Sequence, residues 1–172
     1  MKNTKKLTLC AVMISLALAL NYLERFIPLQ LLIPLPGIKL GLANIVTLVA
    51  LYMLDVKSAV IILVIRCLMG SMFGGGVTGL MFSMTGGVLA ILTMILAGRI
   101  KCFSIFGVSI LGAAAHNIGQ IMASMVLMQS VYIGAYLPYL LFVSLFTGFA
   151  TGRCAGGVLR IFKASGGKRL QN

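Results

Sequence analysis

The stretch "IPLPGIKLGLAN" (Ile33–Asn44) separates two apolar runs that each read as a membrane helix. Its two prolines, two glycines and one lysine cannot continue a helix, and Lys39 stands just before the next apolar run begins. Each proline forces the residue before it into extended backbone. Irregular backbone near membrane depth is tolerated only where protein or a water-filled cavity covers it. The reading of this stretch therefore decides whether the chain is a simple anchor, an enzyme or a binding protein.

The composition sets the solvent. Of 172 residues, 60% are apolar and only 9% charged, whereas a soluble domain carries about a quarter charged residues. A span takes roughly 20 apolar residues, so this length accommodates five or six helices in a single transmembrane domain over residues 1–172. The net charge of +12 raises nucleic acid as a partner. The basic residues, however, cluster at the ends of apolar runs and are not interleaved with aromatics along a groove. Lipid is the expected partner and nucleic acid is not. The lysines and "LTLCAVMISLALAL" at the start resemble a signal peptide, but the run is long and lacks a small-x-small cleavage site. It reads as a retained first helix.

Six helices are expected, over about Leu7–Arg25, Leu40–Leu54, Ala59–Met72, the run up to Ala97, Ser104–Met128 and Tyr132–Thr151. Asp55 and Lys57 mark a tight turn, "FGGGVTG" (Phe73–Gly79) breaks the third helix from the fourth, and a basic tail runs from Arg153 to Asn172. With the N-terminus in the cytoplasm, that side holds Lys2, Lys5, Lys6, Lys57, Arg99, Lys101, Arg153, Arg160, Lys163, Lys168 and Arg169. The outside holds Arg25 and Lys39, and Arg66 lies within a span. Such a bias predicts both termini in the cytoplasm and requires an even number of spans. The tail, with Val158, Leu159, Ile161 and Phe162 among its basic residues, is expected to lie partly on the membrane surface.

In this topology Asn21–Lys39 is the first outside loop, with seven Leu or Ile in "IPLQLLIPLPGI" alone. Either it folds back over the mouth of the bundle, or it rests on the headgroups. Glu24, Pro34, Pro36, Gly37 and Lys39 are its candidate functional residues, with Lys39 at the rim as an anion attractor or an anchor. In the fifth helix, "LGAAAHNIGQIMASM" puts Ala113, His116, Asn117, Gln120 and Ser124 on one face. Polar side chains at membrane depth face the bundle interior, where they serve interhelical hydrogen bonds or a ligand. Three large ones within five residues exceed what packing asks for. Arg66, in "IILVIRCLMG", is permanently charged. It either pairs with Glu24 or binds the anionic group of a ligand. Arg66, His116, Asn117 and Gln120 are thus the candidate ligand contacts. Ala11, Ser15 and Ala19 form a stripe of small side chains on the first helix, which suits close helix packing within the bundle or against another subunit.

The chain has two acids, Glu24 and Asp55, assigned to opposite faces. That excludes a two-carboxylate hydrolase and a divalent-metal acid cluster. One histidine with Cys10, Cys67, Cys102 and Cys154 scattered along the chain gives no zinc spacing. "GGGVTG" and "SGGKRL" both lack the Walker pattern. Prenyl transfer uses aspartate-rich motifs, which this chain does not have. The cysteines read as small apolar residues. Catalysis by this chain alone is not expected, and neither metal nor cofactor is.

"NYLERFIPLQLLIPLPGIKLGLANIVTLVALYML" (Asn21–Leu54), with "FGGG" and "GAAAHNIGQ" further on, resembles a bacterial family labelled heptaprenyl diphosphate synthase component I, also called the Gx transporter family. That family is similar to the substrate-binding S components of energy-coupling factor transporters. The resemblance implies a six-helix bundle in the bacterial plasma membrane. It implies a small molecule bound under an outer loop, and a first helix docking onto a transmembrane coupling protein driven by ATPases. It makes Asn21–Lys39 the lid and Ala11, Ser15 and Ala19 the docking stripe, with Ser15 where an alanine is usual. The expected function is a substrate-binding subunit of an uptake transporter. The alternatives are a non-catalytic accessory subunit of heptaprenyl diphosphate synthase, supporting isoprenoid or menaquinone synthesis, and a structural subunit of a membrane redox complex.

Overall fold

The computed structural model describes residues 2–26, 39–100 and 102–165, apart from the side chains of Lys2, Asn3 and Arg25. Every regular element among them is helical, as a chain must be if its backbone groups are to be satisfied in lipid. The helices are α1 (Lys2–Leu23), α2 (Asn44–Met53), α3 (Val56–Gly70), α4 (Gly76–Arg99), α5 (Ile105–Met128) and α6 (Leu137–Ala164). Short turns of helix at Glu24–Phe26, Ser71–Gly75 and Val131–Tyr136 follow α1, join α3 to α4 and lead into α6.

Four helical stretches are long and apolar enough to cross a membrane: Thr4–Leu23, Val56–Arg99, Ile105–Met128 and Val131–Ala164. The second of these holds α3 and α4 and doubles back on itself. Phe73 leaves helical geometry, and Gly74 and Gly76 take φ values of 104° and 58°, where only glycine is unstrained. The hairpin then closes so tightly that a Cβ on Gly87 of α4 would stand 2.6 Å from Leu63 Cδ1 of α3. The glycine run expected to break the helix therefore makes an antiparallel reversal.

Glycines also set the spacing of the later helices. A Cβ on Gly119 of α5 would meet the backbone of Gly86 in α4 at 2.7 Å, and one on Gly148 of α6 would meet Ile110 Cα of α5 at 2.5 Å. Small residues at such crossings let helix backbones approach without a hydrophobic driving force. A buried hydroxyl pair, Ser109 Oγ and Thr151 Oγ1 at 2.7 Å, ties α5 to α6. The main apolar core runs through Met13 and Ala17, Val46–Leu54, Ile62 and Leu63, Ile91 and Met94, Val108, Ala155 and Leu159.

Local signals start and stop the helices. Asp55 caps α3, accepting from the Ser58 N–H at 3.3 Å and the Ser58 hydroxyl at 2.8 Å. Ser104 caps α5 through the Gly107 N–H, and Gln129 ends it in the left-handed conformation at φ 50°. Pro138 occupies the first turn of α6, where its missing N–H costs nothing. Two elements differ from the sequence expectation. α2 has only ten residues, about 15 Å at 1.5 Å per residue, or half a hydrocarbon core. α6 does not stop at Thr151 but continues through the basic segment to Ala164, 28 residues in all. That is roughly 42 Å, longer than the hydrocarbon of a bilayer. Its apolar positions among the basic ones continue one helix instead of starting a separate surface segment.

The antiparallel order gives the bundle two unlike ends. The start of α1, the α2–α3 and α4–α5 connections and the end of α6 share one, where Lys6 pairs with Asp55 at 2.8 Å. Arg99 is in the last turn of α4, and Arg153, Arg160 and Lys163 are in the last turns of α6. The end of α1, the start of α2 and the α3–α4 reversal share the other, where Glu24 and Lys39 lie.

A buried ionic cluster as candidate functional site

At this second end the described part of the first loop enters the bundle. Gly41 adopts φ 80° and lets the chain turn into α2, with the Asn44 N–H donating to the Gly41 carbonyl at 2.8 Å. A Cβ there would strike the His116 ring at 2.8 Å and the Asn44 amide at 2.9 Å, so glycine is required twice over. Gly41 and Ala43 are buried. The loop's end, residues 39–43, is therefore covered by protein and not spread on a surface. Pro34, Pro36 and Gly37, the remaining lid candidates, lie outside the described residues.

Five helices send polar groups to this point. Glu24, 4% exposed, accepts from the Gly41 N–H and lies within electrostatic reach of Lys39 and Arg66. Its carboxylate stands at the start of α2, where a helix favours negative charge. The Lys39 ammonium donates to Asn21 Oδ1 and Ser83 Oγ, each at 3.2 Å. Gln120 brackets the Lys39 backbone. With its amide oriented to satisfy these neighbours, it accepts from the Lys39 N–H at 3.2 Å and donates to the Lys39 carbonyl at 3.1 Å. It also accepts from His116 Nε2 at 3.2 Å. His116 Nδ1 faces Gly86 of α4, whose Cβ would stand 2.7 Å away.

Arg66 and His116 are the cluster residues left with capacity, His116 through a buried Nδ1 with no hydrogen-bond partner among the described residues. Arg66 is 7% exposed and donates from Nη2 to Asn44 Oδ1 at 2.9 Å. Its Nε is buried with no partner among the described residues. A guanidinium has five donors in a fixed fork, suited to two oxygens of a carboxylate or phosphate at once. The expected alternative, a direct Glu24–Arg66 ion pair, is not what forms: Lys6–Asp55 is the ion pair among the described residues, and Asn44 stands on Arg66. Beside the cluster, Leu18, Ala19, Asn21, Tyr22, Gly70 and Phe73 line a mostly apolar cavity of about 380 Å³. Asn21 belongs to both.

Arg66, His116, Gln120, Glu24 and Lys39 thus come together, but Asn117 does not. It turns to α6 and donates to the Leu140 carbonyl at 2.9 Å, an ordinary interhelical bond. Asn21, Asn44 and Ser83 belong to the cluster without having been expected there. Each is a polar residue inside an apolar run, which was the available signal. The stripe Ala11, Ser15 and Ala19 is exposed, while Met13 and Ala17 of the same helix are buried. Ala11 and Ser15 therefore face away from the rest of the bundle while Ala19 borders the cavity, and the Ser15 hydroxyl is held by the Ala11 carbonyl at 3.1 Å.

A bundle whose described elements are all helical, with several membrane-length apolar helices and a buried ionic cluster at one end, defines the class: a helical membrane protein. The chain belongs to the heptaprenyl diphosphate synthase component I family, whose sequence model matches residues 13–158. No curated protein and no solved structure matches it. The family's description implies a partner synthase subunit.

Proposed function

We propose that this chain is a substrate-binding subunit of a membrane transporter, akin to an S component. It takes a small anionic or amphipathic molecule beneath the Asn21–Lys39 segment, with Arg66 holding the anionic group. The observation that carries this is Arg66 itself, a buried guanidinium with unused donor capacity. A charge at membrane depth is costly enough that it marks a functional site by default. The neighbouring apolar cavity suits the rest of such a molecule, since small-molecule sites are mostly apolar with a few placed polar groups. Gln120 holds the Lys39 backbone and Lys39 donates to Asn21 and Ser83, so ligand entry would act on a segment already pinned at residue 39. The exposed stripe Ala11, Ser15 and Ala19 is then the face offered to a transmembrane coupling protein with its ATPases.

In this reading the basic end faces the cytoplasm of a bacterial cell, both termini are inside, and α2 is a half-length member of six spans. Exposed Cys102 tests the sidedness: a membrane-impermeant maleimide labels it in inverted vesicles and not in intact cells. The second reading, favoured by the family's description, is a non-catalytic accessory of a prenyl diphosphate synthase. A tagged pull-down from native membranes in mild detergent, read by mass spectrometry, separates the two. Recovery of a coupling protein with ATPases supports the transporter subunit. Recovery of a synthase catalytic subunit without ATPases overturns it in favour of the accessory role.

A further inference from the structure

At the opposite, basic end, the last turns of α6 and the start of α5 enclose a second cavity of about 490 Å³. Apolar Ile105, Phe106 and Leu159, the glycines Gly156 and Gly157, and the cations Arg153, Arg160 and Lys163 line it. That volume falls within the roughly 300–1,000 Å³ of small-molecule sites. On α6, Arg153, Gly156, Gly157 and Arg160 recur at three- and four-residue spacing, which puts them on one face. A Cβ on either glycine would meet nothing within 4 Å among the described residues. Packing therefore does not require glycine at these positions. Their effect is to leave the helix backbone open between two arginines.

The chain leaves these three cations exposed, with no acid paired to them among the described residues. Of its two acids, Asp55 is taken by Lys6 and Glu24 is at the other end of the bundle. α6 outruns a bilayer's hydrocarbon, which carries its last turns to headgroup level. Basic pockets at this depth between helices hold phosphate headgroups, and the Ile105–Phe106 wall offers an apolar surface for an attached chain. We propose that this cavity binds an acidic phospholipid: its phosphate on Arg153, Arg160 and Lys163, and a hydrocarbon chain along Ile105, Phe106 and Leu159. The inference is independent of the Arg66 site.

The test uses the full chain in an uncharged detergent and thermophoretic titration with dioctanoyl phosphatidylglycerol and, as control, dioctanoyl phosphatidylcholine. The anionic lipid binds saturably and the zwitterion does not. Each arginine changed to glutamine weakens binding about fivefold, so Arg153→Gln with Arg160→Gln costs roughly 25-fold. Gly157→Leu, whose side chain has open space to enter, blocks the cavity with all charges retained, while Lys57→Gln at the same end of the bundle leaves affinity unchanged. The proposal is overturned if no saturable binding appears. It is equally overturned if Gly157→Leu binds as wild type, or if Lys57→Gln weakens binding as much as the arginine changes, because attraction to a basic surface then accounts for the effect.

Discussion

Gly119→Ala is expected to destabilise the bundle, whereas Gly79→Ala is expected to stabilise it, although both add one methyl group to a glycine within a helix. The added Cβ at Gly119 would stand 2.7 Å from Gly86 Cα, 2.7 Å from the Thr85 carbonyl oxygen and 2.8 Å from the Gly86 nitrogen. Carbon atoms rest about 3.5–4.0 Å apart, so α4 and α5 must separate by nearly an ångström. All three obstacles are backbone, so no side-chain rotation relieves them. A gap of 0.5–1 Å already forfeits a quarter to a half of each dispersion contact along the seam, and overpacking of this kind costs about 1–3 kcal/mol. At Gly79 of α4 the same methyl meets nothing within 4 Å among the described residues. Both substitutions gain the same helix propensity, about 1 kcal/mol, so the difference between the two variants isolates the overpacking. Thermal unfolding of each in one detergent, followed by circular dichroism, should place Gly79→Ala above wild type and Gly119→Ala below Gly79→Ala by about 1–3 kcal/mol. Equal midpoints would refute the argument that a backbone-to-backbone approach sets the α4–α5 spacing.

Other expectations follow from the same structure. Asn44→Ala removes the Arg66 hydrogen-bond partner and should cost about 1.5–3 kcal/mol, read from the same melts; an unchanged midpoint would show that Arg66 does not depend on it. Arg66→Lys keeps the charge but loses the planar fork, so under the transporter reading it should weaken ligand retention nearly as much as Arg66→Ala. Full retention by both variants would remove Arg66 from the site. Gln120→Ala should release the Lys39 backbone and raise amide hydrogen exchange at Lys39 and Gly41, with little change in α6. The Lys6 ammonium holds the Asp55 carboxyl below the usual carboxylate range. Its contribution is therefore full above the unfolded value of 3.8 and fades as pH falls through the lower folded value. Both side chains are partly exposed, so the pair is worth about 0–1 kcal/mol. Lys6→Ala should lower the melting midpoint slightly at pH 7 and less near pH 3; an equal loss at both would mean that the ion pair contributes nothing.

Much of the fold was legible in composition and order. Apolar runs of membrane length, separated by Asp55, by "FGGG" and by the basic Gly98–Lys101 turn, locate helices because lipid permits little else. The segregation of charge was legible too, since alternating chain direction alone sends Lys6, Arg99 and Arg160 to one end. Helix lengths were less so. Whether "LANIVTLVALYML" spans fully depends on where Gly41 turns, and whether α6 stops at Thr151 depends on lipid-facing residues that propensity does not distinguish. The glycines show the same division. Their number was visible, but that Gly119 meets Gly86 while Gly79 meets nothing among the described residues is a property of the packed pair.

The site divides along the same line. By itself the sequence determined that Arg66, His116 and Gln120 lie at costly depth and that Glu24 and Lys39 flank an irregular segment, because polar residues in an apolar run need a reason. Only the tertiary structure decided which of them meet. One helical position separates His116 from Asn117, and that step of about 100° turns one toward the cluster and the other toward Leu140. Asn44 rather than Glu24 stands on Arg66, because the half-length α2 brings its first residue to the depth of α3 where the guanidinium lies.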